Sequence, residues 1–311
     1  MILSVSRRTD IPAFYSEWFF NRLKAGYLLV RNPMNFKQVS RIPINPKDVE
    51  CIVFWTKNPQ KMLERLDELN EFNYYFQVTM TSYDKDLEIG VPPKKEIMET
   101  FKELSKKIGS EKTIWRYDPI IITDKFSEEY HIKYFEKMAK ILSGYTEKCV
   151  ISFVDLYGKT EKNLKNVAIR QVNNEDMVRI SKQLSMIASR YNITIETCSE
   201  IIDLDQVNIK HGKCIDDILI SRILGIDATI PKDSNQREEC GCVKSIDVGI
   251  YNTCPHKCRY CYANTSPNSA QANYEKHCPE SELLFGELRG DEKITERRIE
   301  KHYENLQLQL F

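Results

Sequence analysis

The chain has 311 residues, of which 41% are hydrophobic and 29% charged, enough apolar material for one large core or two small ones. Its 45 basic and 45 acidic residues cancel, so no global field favours a polyanionic or membrane-surface partner. No apolar run approaches a membrane span and "MILSVSRRTDIPAF" is too short for a signal-peptide core; the expected compartment is therefore cytoplasmic, with ten cysteines read as reduced thiols or metal ligands.

In chain order, "ILSVSR" from Ile2 reads as a first strand and residues 26–46 as a hairpin or irregular excursion. "CIVFWT" from Cys51 is a second strand. Asn58-Pro59 then caps a helix with Met62, Leu63, Leu66 and Leu69 on one face. "YYFQVTM" from Tyr74 precedes a helix striped by Ile97, Phe101, Leu104 and Ile108, with Gly109 as its stop. "TIWRY" from Thr113, "CVISFVD" from Cys149 and "ITIET" from Ile193 continue the alternation, with Ser127 and Asn174 capping the helices between them. Residues 200–242 form a long insertion with a helix around "DDILISRILG". "IDVGIY" from Ile246 is the seventh strand, and the tail "TERRIEKHYENLQLQLF" reads as a helix.

Most strand segments are continuous in apolar residues, as strands covered on both faces should be. Repeated strand-helix units predict an α/β fold with a parallel sheet, as a barrel or a doubly wound sheet. One domain is expected over residues 1–265, with the insertion at 200–242, followed by an extension over 266–311 that ends in the tail helix.

The chemistry concentrates in "NTCPHKCRYCYAN", where Cys254, Cys258 and Cys261 are spaced C-x3-C-x2-C. Three thiolates at this spacing suit three irons of a cubane cluster and leave the fourth iron open. Structural zinc would need a fourth ligand from His256, His277 or Cys278. With Tyr260 just before the third cysteine, "CPHKCRYC" resembles the signature of the radical S-adenosylmethionine superfamily. The resemblance implies a full or partial (β/α) barrel, a 4Fe-4S cluster on the triad, and S-adenosylmethionine bound at the open iron and cleaved reductively to a 5'-deoxyadenosyl radical. It also implies Tyr260 near the adenine and a low-potential donor such as ferredoxin or flavodoxin.

"FWTKNPQKMLERLDELN", "VTMTSYDKDLEIGVPPKKEIMETFKELSKKIG" and "IWRYDPIII" are similar, in that order, to segments of the spore-photoproduct-lyase-like branch. In that branch the cysteines come first, whereas here they come last. A circular permutation reconciles the two if "IDVGIY" lies beside "ILSVSR". The whole chain also resembles an uncharacterised bacterial family with a cysteine-rich C-terminal end.

In a (β/α) barrel the working residues sit at the carboxyl ends of strands. Those ends offer Arg7, Arg8 and Asp10, Thr56 and Lys57, Thr79 and Thr81, Arg116 and Asp118, Asp155, Glu196 and Glu200. Chemistry and resemblance together make Arg116, Asp118 and Lys57 the catalytic candidates, with Arg116 or Lys57 binding a carboxylate, and make Tyr260, Thr79, Thr81 and Arg8 the cofactor-binding candidates, with Thr79 or Thr81 on a ribose. Cys198, Cys214, Cys240 and Cys242 could hold an auxiliary iron-sulfur cluster. A simple barrel objects, because Cys240 and Cys242 immediately precede the strand at Ile246 and belong at its bottom, while Cys198 belongs at its top.

Two other classes stay open. A zinc-stabilised nucleic-acid-binding protein would use the basic and aromatic residues of the cysteine loop, although no extended basic run accompanies them. A zinc hydrolase would need histidines at strand ends, and His131, His211, His256, His277 and His302 fall mostly on helices or loops. The substrate is not legible, and nucleic acid is one candidate.

Overall fold

The structure is a computed structural model describing residues 1–156 and 158–302. Its strands are β1 (Ile2–Val5), β2 (Tyr27–Asn32), β3 (Asn35–Pro43), β4 (Cys51–Thr56), β5 (Tyr74–Thr79), β6 (Thr113–Ile120), β7 (Lys148–Phe153), β8 (Thr194–Thr197), β9 (Lys210–His211), β10 (Ile246–Asp247) and β11 (Lys293–Glu296). Eight of them form one parallel sheet in the order β10-β1-β4-β5-β6-β7-β8-β9. The parallel α/β expectation therefore holds. No pairing joins the edge strands β9 and β10 among the described residues, so closure into a barrel is not shown.

The seven expected strands are all present, and β9 is an eighth that its two polar residues concealed. The strand at Ile246 does lie beside β1, with Leu3 opposite Ile246 and Ser4 opposite Asp247. Asp247 fastens this short pairing by accepting from Ser4 Oγ at 2.9 Å, Ser6 Oγ at 2.6 Å and the Arg7 amide at 2.8 Å. The expected hairpin is β2 with β3, extended by β11 parallel to β3.

Helices cover one face of the large sheet. Lys94–Ile108, Glu128–Leu142 and Asn174–Arg190 bury Phe101, Leu104, Phe135, Leu142, Leu184 and Ile187 against Phe54, Phe76, Trp115 and Ile151. Burying a side chain of this size contributes roughly 1.5–3 kcal/mol. The opposite face carries Val53, Tyr75, Ile114 and Val150, one residue out of phase as strand alternation requires, and the insertion fills it with Ile215, Leu219, Ile220 and Ile230, joined by Val243 just after it. That second covering explains why these strands are apolar at nearly every position.

Several details differ from expectation. Asn173, not Asn174, caps its helix, accepting from the Asp176 amide at 2.9 Å, because the cap must precede the first helical residue. The segment after Asn58-Pro59 is a 3-10 helix, Gln60–Leu69, which still buries Met62, Leu63, Leu66 and Leu69. In the tail, residues 293–296 form β11 and residues 297–302 show no helix; the remainder of the expected tail helix lies outside the described residues. No helix among the described residues is long and apolar enough to cross a membrane.

Candidate functional site

The carboxyl ends of the large sheet surround a cavity of about 980 Å³. Its position follows from the topology, since in parallel sheets the loops leaving the strand ends converge on one side. Cys254, Cys258 and Cys261 line it from the loop after β10, and Cys198, Cys214, Cys240 and Cys242 line it too.

The triad loop is held from several directions. Its backbone bridges to the segment before Lys94, with Arg259 N donating to Leu87 O at 2.9 Å and Gly90 N donating to His256 O at 2.8 Å. Gly90 is required by proximity: a Cβ there would lie 2.7 Å from His256 O and 2.9 Å from Pro255 O. Asn264 Nδ2 donates to Cys254 O at 2.8 Å. Buried His256 meets Asp10 Oδ2 through Nε2 at 2.8 Å, and the same oxygen accepts from the Lys57 amide at 2.7 Å. One carboxylate thus ties the triad loop to the ends of both β1 and β4.

The three thiols fit a cluster-bearing loop, because they share one cavity wall and feel one another's charge. Burial pushes the Cys254 thiol up, reinforced by Asp10, Cys261 and Cys258; burial also pushes Cys258 up, opposed by Lys57. Both shifts favour the thiol form of Cys254 and Cys258, and a metal would have to displace those protons. Among the described residues no group of three or more His, Cys, Asp or Glu is arranged around a single metal ion.

Tyr260 lines the cavity, with its hydroxyl donating to buried Glu88 and accepting from Lys57 Nζ at 2.9 Å. Lys57 Nζ also reaches Glu88 Oε1 at 2.7 Å, and Lys94 pairs with the other oxygen. Burial opposes ionisation of Glu88, yet Lys57 and Lys94 hold its pKa down at about 2. Burial would lower Lys57, but Glu88 outweighs it and keeps the ammonium above its usual range. The result is a buried ion cluster that fixes the tyrosine ring and the lysine together.

Arg116 extends into the cavity from β6, reaching Cys214 Sγ at 2.7 Å and Gln77 Oε1 at 3.3 Å and pairing with Asp118, which also accepts from Ser152. Thr79 and Arg8 line the same space. Arg8 donates to Gly249 O at 3.4 Å and lies over the Tyr251 ring. Thr81 does not: it is fully buried behind the wall and donates to Glu88 Oε1 at 2.9 Å. Glu196 pairs with Lys148, and Glu200 accepts from the Phe153 amide, with burial raising its pKa to about 7.

The topological objection to a shared site for Cys198, Cys214, Cys240 and Cys242 is overturned. The insertion doubles back across the sheet face after β9 rather than running beneath it, so Cys240 and Cys242 reach the cavity before the chain enters β10. Sequence reasoning missed Glu88, Asp247 and the His256–Asp10 pair. In "DKDLEIGVPP" Glu88 looks like one more solvated charge, and only the arrival of Lys57, Lys94 and Tyr260 from distant segments gives it a role.

Over residues 2–263 the chain matches a family described as Domain of unknown function (DUF1848). Comparisons with the curated proteins and with the solved structures gave no match.

Proposed function

This chain belongs to the DUF1848 family, and we propose that it is a radical S-adenosylmethionine enzyme. The observation that carries this reading is the convergence of Cys254, Cys258 and Cys261 with Tyr260, Lys57 and Arg116 on one cavity at the carboxyl ends of a parallel sheet. The adjacency of β10 and β1 supports it further, since it restores the motif order of the spore-photoproduct-lyase-like branch around the sheet.

In this reading the triad holds a 4Fe-4S cluster, which when bound supplies the electron for reductive cleavage of S-adenosylmethionine to a 5'-deoxyadenosyl radical. The remaining tasks belong to the chain. Tyr260, pinned through Glu88, offers a fixed ring face for an adenine. Among the cations lining the cavity, Arg116, Lys57 and Arg8 are the candidates for a methionine carboxylate, and the Thr79 hydroxyl suits a ribose. The insertion supplies part of the cavity wall through Cys214, Gln236, Arg237, Cys240 and Cys242. The electron donor would be ferredoxin or flavodoxin.

Anaerobic reconstitution with iron and sulfide, followed by EPR of the dithionite-reduced protein with and without S-adenosylmethionine, tests this directly. A reduced-cluster signal perturbed by S-adenosylmethionine, with 5'-deoxyadenosine formed and both effects absent in Cys258→Ala, is expected. A cluster indifferent to S-adenosylmethionine would overturn the assignment.

A further inference from the structure

We infer that Cys198, Cys214, Cys240 and Cys242 form a second, four-thiolate metal centre built by the insertion, distinct from the triad. The inference stands on these residues alone and does not need the S-adenosylmethionine reading. Four thiols from three separate segments meet here. Cys214 Sγ lies 3.2 Å from Cys198 Sγ, and Cys240 and Cys242 line the same cavity. Chance burial of ordinary core cysteines gives isolated thiols among apolar neighbours, as Cys51 and Cys149 show at the starts of their strands.

The surroundings are built for negative sulfur. Arg116, with only 5% of its side chain exposed, brings Nη1 to 2.7 Å from Cys214 Sγ. A neutral thiol is a poor partner for a buried guanidinium, whereas a four-thiolate centre carries excess negative charge that this arginine would offset. Arg7 lines the same cavity as Cys242, and the two interact electrostatically. The Ile215 amide points at Cys242 Sγ at 3.4 Å, the kind of backbone donor that orients a ligating sulfur.

The local backbone is shaped to bring the sulfurs close. Val243 N donates to Ile215 O at 3.1 Å, laying the Cys240–Cys242 strip along the Cys214 strip. Gly241, between the two cysteines, leaves room for that contact, since a Cβ would lie 3.0 Å from Lys213 Cγ. As they stand Cys198 and Cys214 are in direct sulfur–sulfur contact. Ligation uses thiolates, so binding would release the protons of whichever thiols still carry them and replace the Cys198–Cys214 contact by metal–sulfur bonds. Four thiolates without histidine suit either zinc or an iron-sulfur cluster, and the metal analysis separates the two.

The test uses the full chain with Cys254, Cys258 and Cys261 all changed to Ala, purified and reconstituted anaerobically, with iron, zinc and acid-labile sulfide measured per chain. The expected result is one retained centre, either about one zinc without sulfide or about four irons with matching sulfide, lost when Cys214→Ala and Cys242→Ala are added. A triad-less chain with no metal above background overturns the inference. Native alkylation of the unaltered protein, mapped by mass spectrometry, covers the case in which the variants do not fold. The four thiols should become reactive together on chelation; a pattern unchanged by chelator, or a Cys198–Cys214 disulfide in anaerobic protein, overturns it. If the S-adenosylmethionine reading alone is wrong, the second centre persists and only the EPR perturbation disappears.

Discussion

Glu88 receives Lys57, Lys94, Thr81 and Tyr260 while only 1% exposed, so its loss would strand two ammonium groups in a poorly solvated wall. Breaking a buried pair from one side costs roughly 3–5 kcal/mol. Glu88→Ala is therefore expected to lower the unfolding free energy of the metal-free protein by about 3 kcal/mol in urea titration. The matching change Lys94→Met, which leaves Lys57 to neutralise Glu88, should cost less than half of that. Equal costs would mean that Glu88 is not the hub of the cluster.

At the scale of elements, the triad loop depends on a contact between two segments of backbone. Gly90→Ala places a methyl against His256 O and Pro255 O, neither of which is a flexible side-chain end, so one segment must move. Strain of this kind costs about 1–3 kcal/mol. Reconstituted Gly90→Ala should retain its circular dichroism but hold severalfold less iron than the wild type, and unchanged iron content would show that the loop's position is not set there. The insertion makes the same point. Its helix Asp217–Leu224 was expected around "DDILISRILG", and the structure adds Asp216 as its cap, accepting from the Ile218 and Leu219 amides. Its destination against the sheet face opposite the helices was not.

For the whole molecule, His131 gives a handle on stability. It is fully buried, joins the Glu128–Leu142 helix to β6 through Tyr117 Oη at 2.8 Å, and burial lowers its pKa to about 4. A base whose pKa falls from 6.5 to about 4 on folding contributes stability that is complete above pH 6.5 and is lost as pH drops toward 4, about 3 kcal/mol in all. Urea midpoints measured between pH 7 and 4 should fall, and His131→Gln should flatten that slope. An unchanged slope would show that another group is responsible.

What the sequence by itself determined is local and periodic. Runs of β-branched and aromatic residues marked seven strands, stripes at helical spacing marked the helices between them, and the C-x3-C-x2-C loop marked where the metal chemistry should lie. Even the neighbour relation of β10 and β1 was legible, because it follows from the cyclic order of short motifs. Only the tertiary structure decided which distant side chains meet. Glu88 acquires its lysines, Asp247 its two serines, and Cys198 its neighbour Cys214 through folding back of segments whose own composition is ordinarily polar. Periodicity reports which face of an element is buried, since burial acts on each residue locally. Convergence of charges and thiols depends on loop paths, which no repeating pattern in the chain encodes.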